Sequence, residues 1–314
     1  MNLLRKLLLS LIGVFLVVPA HAQFTEYPLP SENPAPLCVT LGPDGAVWFV
    51  EIVGNRIGRI TVSGEITEFP LPTPNSYPRG ITSGPDGAVW FDEMYNNKVG
   101  RITTRGIISE FSIPTPNSNP RSIVAGPDGA MWFTENVGNK IGRMTLSGAF
   151  KEKKLPHPSS GPEHIVLGPD GNLWFTEEDG GRIGRLTPNG VLTEFPLPDP
   201  ESHPDVMTSG PDGALWFTEN ISDKIGRITT AGVIAEYSVP TAGSDPAGIT
   251  SGPDGALWFT EMLGNKLARI TTEGTITEWP VPTTRAHPAN ITLGSDGALW
   301  FSERLANSIA RFHP

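Results

Sequence analysis

Along this chain, apolar and β-branched residues gather in short runs closed by Gly, Pro, Asn and Ser, and no window sustains a helical period. Between Gly80 and Ile113 the pattern predicts four strands. They are Gly80–Ser83, a return strand Ala88–Glu93 after the turn Pro85-Asp86-Gly87, a third at Val99–Thr103 and a fourth at Ile107–Ile113. The pattern then recurs. A turn-opening glycine stands at Gly42, Gly84, Gly126, Gly168, Gly210, Gly252 and Gly294, 42 residues apart each time. A Trp follows six residues later in every copy, from Trp48 to Trp300, and a Glu three beyond it, from Glu51 to Glu303. An Arg in text of the Ile-Gly-Arg-Ile type comes next, from Arg59 to Arg311. Seven uninterrupted four-stranded units predict an all-β fold, a seven-bladed β-propeller.

The seventh unit stops after its third strand, at Phe312-His313-Pro314. The segment Phe24–Pro30 matches the fourth-strand text Ile66–Pro72, so the N-terminal strand is expected to pair with the last blade and close the ring.

Gly (35) and Pro (32) are abundant among 314 residues, but the patterned text between them argues against disorder. A formal charge of −10 argues against nucleic acid and anionic membrane surfaces as partners. Residues 1–22 read as a signal peptide: Arg5 and Lys6, an apolar run Leu7–Val18, and Ala20-His21-Ala22 before a cut ahead of Gln23. The run is too short to span a bilayer comfortably. The expected product is a periplasmic or secreted monomer, a single domain of residues 23–314 with formal charge −12. Cys38 is the only cysteine, which leaves no intramolecular disulfide and no thiolate metal cluster.

The seven Asp residues of the GPDG-like turns read as turn formers, the Trp residues as blade packing and the Arg residues as anchors within the repeat. The Glu copies have two readings: a rim of carboxylates around a cation, or local structural pairing. Function is expected where the sevenfold pattern breaks, around the proline that opens each innermost strand and in the loop after each Glu. Two patches stand out there. Glu163, His164, His203 and Asp205 come near Glu177, Glu178 and Glu219, and imidazoles beside carboxylates do acid–base work or share a hard cation. Arg79 and Arg121, in adjacent units, suit an anionic or carbonyl-rich group, and Met94, Tyr95, Met262 and Leu263 suit an apolar one. A small-molecule or peptide ligand on this top face is expected. The alternative is a solvated polar rim.

The phrases Gly-Asn-Lys-Ile-Gly-Arg, Ile-Thr-Glu-Phe-Pro-Leu-Pro-Thr-Pro and Leu-Trp-Phe-Thr-Glu resemble the virginiamycin B lyase (streptogramin lyase) family over about residues 24–314. The resemblance implies a propeller that linearises cyclic depsipeptides by elimination, using Mg²⁺. A His takes the proton α to the ester carbonyl while the metal polarises that carbonyl. The family's catalytic His residues stand directly after the opening Pro of the last two repeats. A Glu precedes the last of those prolines, and another follows the last Trp-Phe strand. Those positions are Ala247, Ala289, His287 and roughly Glu303 here.

Two main expectations follow. One is a lyase with a relocated site: His164 or His203 as base, and Glu163, Glu177, Asp205 and Glu303 near Mg²⁺. Arg79, Arg121, Tyr95, Met262 and His287 would then contact ligand. The other is a non-catalytic propeller that binds a peptide, glycan or protein on its top face. A hydrolase of the six-bladed calcium-binding kind is disfavoured by the blade count.

Overall fold

Every second strand of the repeat is buried along its whole length, as Val47–Glu51, Leu173–Glu177 and Leu215–Glu219 show. A strand that reads as continuously apolar must be covered on both faces, and here the cover on each side is a neighbouring blade. Val47 and Phe49 pack toward Trp300 of the seventh blade, while Trp48 and Val50 pack toward Val89 and Phe91 of the second. In the computed structural model, which describes residues 24–314, seven antiparallel four-stranded sheets form this ring. Residues 1–23, and with them the expected signal peptide, lie outside the described residues.

The ring closes as the sequence pattern predicts. Phe24–Pro28 pairs antiparallel with Ser308–Phe312, Phe24 opposite Phe312 and Pro28 opposite Ser308. Tyr27 then stacks on Trp300 at 5.5 Å between ring centroids, as Phe69 does on Trp48 at 5.7 Å and Phe195 on Trp174 at 5.5 Å.

Two boundaries differ from the pattern. The innermost strand of blade two runs Pro78–Ser83 rather than from Gly80, because Pro78 already faces Glu93 while Ile81 faces Phe91. The extra residue in that interval is a bulge, repeated in all seven blades, and bulges re-aim side chains. The outermost strand is Ile108–Ser112. Ile107 belongs to the preceding turn, where its carbonyl accepts the Thr103 amide, and the Ile113 amide is taken by the Asn97 carbonyl.

The GPDG-like turns lie at the bottom of the ring. Asp212 Oδ1 accepts the indole N–H of Trp216 at 3.0 Å, and its Oδ2 accepts from Arg227 at 2.7 Å, with Gly213 left-handed at φ 74°. The same arrangement holds Trp48, Trp90, Trp132 and Trp258. Replacing Asp212 by Ala leaves a buried indole donor and one guanidinium without a partner. A loss of about 1–3 kcal/mol is expected, read as a lower urea midpoint at unchanged slope.

The seven repeat glutamates do not form a cation-binding rim. Each is fully buried within its own blade, beside a second carboxylate on the outermost strand: Glu93 by Glu110, Glu177 by Glu194, and Glu303 by Glu26 of the closing strand. Lys98, Lys140, Lys224 and Lys266 each hold the outer partner at 2.5–2.6 Å. Burial, then the neighbouring carboxylate, lifts Glu261 and Glu303 to about 8; burial foremost lifts Glu51, Glu93, Glu135, Glu177 and Glu219 to about 7.

A carboxyl raised on folding contributes stability that is complete below its ordinary value of 4.5 and is lost as pH rises through the folded value. The outer partners Glu110, Glu152 and Glu278 are lowered, so their contribution is lost in acid instead. The melting temperature is therefore expected to fall from about pH 4.5 to about pH 8, and to fall again in strong acid. A calorimetric series across pH checks this.

Candidate functional site

The top mouth of the ring is built from three sets of period-related residues. The bulge after each opening proline turns the next side chain toward the axis. All seven such residues, Leu37, Arg79, Arg121, Glu163, Asp205, Ala247 and Ala289, line one cavity of about 280 Å³. The residue after each buried glutamate forms a second set, with Ile52, Met94, Glu178, Asn220, Met262 and Arg304 in the wall. Cys38, His164, Val206 and Asn290 supply the third. One arc is charged, centred on Glu163; the opposite arc, with Leu37, Ile52, Tyr77, Met94 and Met262, is apolar apart from Arg304.

Glu163 is the hub of the charged arc. It is buried, and each of its oxygens takes a guanidinium: Arg79 Nη2 donates to Oε1, and Arg121 Nη1 donates to Oε2 at 2.6 Å. Asn136 Nδ2 adds a bond to Oε2 at 3.3 Å, and Arg121 also reaches Glu178 at 3.3 Å. Glu178 is raised by burial and then by Glu163. Asp205 lines the cavity, and burial followed by the Glu163 carboxylate raises its carboxyl well above the ordinary range. Among the described residues, Arg304 forms no ion pair and is the free cation of the mouth.

His164 lines the cavity, but its ring has a structural task. Its Nδ1 accepts the Met207 amide of the next blade at 3.3 Å. Ser122 Oγ does the same for Ile165 at 3.2 Å, and Asn290 Oδ1 for Val39 at 3.1 Å, one period position in each case. Burial lowers His164 to about 4, so the ring is neutral. With Nδ1 accepting, the proton sits on Nε2, and the neutral ring is left with no free lone pair to act as a base.

His203 and His287 stand where the chain turns into the innermost strand, a position that is left-handed in every blade, with φ of 52° and 53° here. Neither lines the cavity, and His203 Nδ1 lies 3.9 Å from Glu178. Tyr95 also lies outside the wall and stacks on Tyr77 at 4.4 Å. Glu177 and Glu303 are buried inside their blades, as described above. Arg79, Arg121, Glu163, His164, Asp205 and Met262 are thus brought together, and Tyr95, Glu177, His203, His287 and Glu303 are not.

The magnesium ion implied by the resemblance finds no donor set among these residues. Both oxygens of Glu163 are already held by arginines, and Glu177 and Glu303 lie behind the wall. Ala247 and Ala289 offer no ligand atom. No group of three or more His, Cys, Asp or Glu among the described residues is arranged to hold a metal.

Fold and site together define a seven-bladed β-propeller with one amphipathic, ligand-sized cavity on its axis. The chain belongs to the virginiamycin B lyase family, whose model matches residues 16–206 and 200–314. Selenomethionine-substituted virginiamycin B lyase from Staphylococcus aureus is 43% identical, with 93% of this chain and 99% of that one covered and a TM-score of 0.89. A catalytically inactive histidine-to-alanine form of the Staphylococcus aureus enzyme with quinupristin is 42% identical over the same shares, also at TM-score 0.89. The Bacillus licheniformis virginiamycin B lyase is 47% identical over 44 residues, which spans 14% of this chain and 15% of that relative.

Proposed function

We propose that this protein is a binding member of the lyase family: it captures an amphipathic cyclic peptide or depsipeptide of the type B streptogramin class at its top mouth and does not open the ring. The observation that carries the reading is the pair Ala247 and Ala289, both in the cavity wall at the positions where the resemblance puts the family's bases. Elimination needs a group that takes a proton from carbon. The Nδ1 lone pair of His164 is taken by the Met207 amide, and His203 stands outside the cavity.

Binding needs less, and the mouth supplies it. The apolar arc covers hydrophobic side chains, while Arg304 and the Arg79–Glu163–Arg121 group offer donors to backbone and ester carbonyls. That an inactive histidine-to-alanine relative has been solved with quinupristin supports capture without turnover. The text of residues 1–22 supports action outside the cytoplasm, in the periplasm or after secretion. The formal charge of −10 supports a partner other than nucleic acid. No helix among the described residues is long and apolar enough to cross a membrane.

Isothermal titration with quinupristin tests the reading. Saturable binding is expected, and Arg304→Ala and Met262→Ala should each weaken it about tenfold, one lost charged hydrogen bond or one lost apolar contact. Unchanged affinity in both variants would move the ligand away from this mouth, and no binding at all would sink the proposal.

A further inference from the structure

In five blades the residue before the buried glutamate is a hydroxyl that locks two innermost strands together. Thr134 Oγ1 accepts the Ser122 amide at 3.1 Å and donates to the Glu163 carbonyl of the next blade at 3.0 Å. Thr176 joins the His164 amide to the Asp205 carbonyl in the same way, at 3.0 and 2.8 Å. Thr218, Thr260 and Ser302 repeat the lock on the carbonyls of Ala247, Ala289 and Leu37, at 2.9, 2.6 and 2.5 Å.

Blade two has Asp92 at this position. It is completely buried, and its Oδ2 accepts the Gly80 amide at 3.0 Å, which reproduces the accepting half of the lock. Its Oδ1 is buried and has no hydrogen-bond partner among the described residues. The carbonyl in the corresponding place on blade three is that of Arg121. An added Cβ at Gly80 would touch Asp92 Oδ2 and come within 2.9 Å of the Arg121 carbonyl oxygen, so the carboxyl and that carbonyl flank one point of the backbone. Two bare acceptors in a buried site repel each other; one proton between them makes a bond.

We propose that Asp92 is held as the neutral acid in the folded protein and donates Oδ1–H to the Arg121 carbonyl, completing with a carboxylic acid the lock that Thr makes elsewhere. Asp92 thereby positions the backbone of Arg121, whose side chain holds Glu163, whatever the mouth binds. The surroundings agree. Burial raises the Asp92 carboxyl well above the ordinary range, with the Gly80 amide and Arg79 opposing and Glu163 across the channel adding to the rise. The nearby Cys38 thiol, pushed up to about 12 by burial, is neutral.

The direct test is carbon-13 NMR of aspartate-labelled protein, following the Asp92 carboxyl as pH is raised. The ionisation step is expected well above the ordinary aspartate value of 3.8; ionisation near that value would overturn the proposal. Stability gives a second readout. Asp92→Thr and Asp92→Asn keep both halves of the lock without a titrating group. The wild-type folding constant should fall about tenfold per pH unit relative to Asp92→Thr above about pH 4, until Asp92 ionises in the fold. A ratio that stays flat with pH would contradict it. Should Asp92→Thr fail to fold, the wild-type titration decides alone.

Discussion

Replacing Trp216 by Ala is expected to cost about 3–5 kcal/mol, the range for removing a fully packed aromatic side chain. The indole is completely buried and packs across a blade boundary, against Ile249, Leu257 and Phe259 of blade six as well as Ile225 of its own blade. Tyr237 stacks on it at 5.6 Å, Arg227 lies 5.8 Å from its ring centroid, and Asp212 holds its N–H. Neighbours fixed on so many sides cannot collapse into the space, so the cavity persists. Urea unfolding should show the lower midpoint with an unchanged slope. A loss below about 1 kcal/mol would mean that the blade boundary is loosely packed.

A second large effect is expected from removing the closing strand. A chain that begins at Ser31 loses Phe24 and Leu29, each contributing about 1.5–3 kcal/mol by burial, loses the stack of half-buried Tyr27 on Trp300, and bares the edge of Ser308–Phe312. Glu26 goes too, and with it the bonds to the Thr283 amide and hydroxyl at 3.2 and 2.7 Å. The shortened chain should aggregate or melt without a cooperative transition. Moving Phe24–Pro30 to follow Pro314, with residues added so that the link matches the five of Thr61–Glu65 in blade one, should restore folding, because the strand starts opposite Phe312 as Ile66 does opposite Ile60. If the shortened chain melted like the full one, ring closure would not depend on this strand.

The ring was legible in the sequence because architecture repeats: a 42-residue period, a Trp and a turn glycine in each copy leave few folds open. The direction of the glutamates was not. Trp216, Phe217, Thr218 and Glu219 are all buried, so no polar alternation marks which way the last carboxylate turns. That is why Glu177 and Glu303 read as rim ligands and prove to be wedged inside their blades.

The wall of the mouth was half legible. The residues after the opening prolines broke the symmetry, and the bulge turns all seven to the axis. The signal for Asn220 was the single position after each Glu, which changes from Ile52 to Met94, Glu178 and Arg304 beside a glutamate present in every copy. His164 drew attention as an imidazole next to an acid. Read in register, it stands 42 residues after Ser122, and its task is the same as that serine's.

The central claim, capture without cleavage, is tested most directly by incubating residues 23–314 with quinupristin and Mg²⁺, with and without chelator, and following the ligand by mass and chromatographic retention. Elimination gives a linear isomer of unchanged mass with a new retention time, and hydrolysis adds one water. The account predicts that bound ligand is recovered intact under both conditions. A linear isomer that appears only with Mg²⁺ would contradict it, and would mean that this mouth holds a base and a metal at residues other than those the family uses.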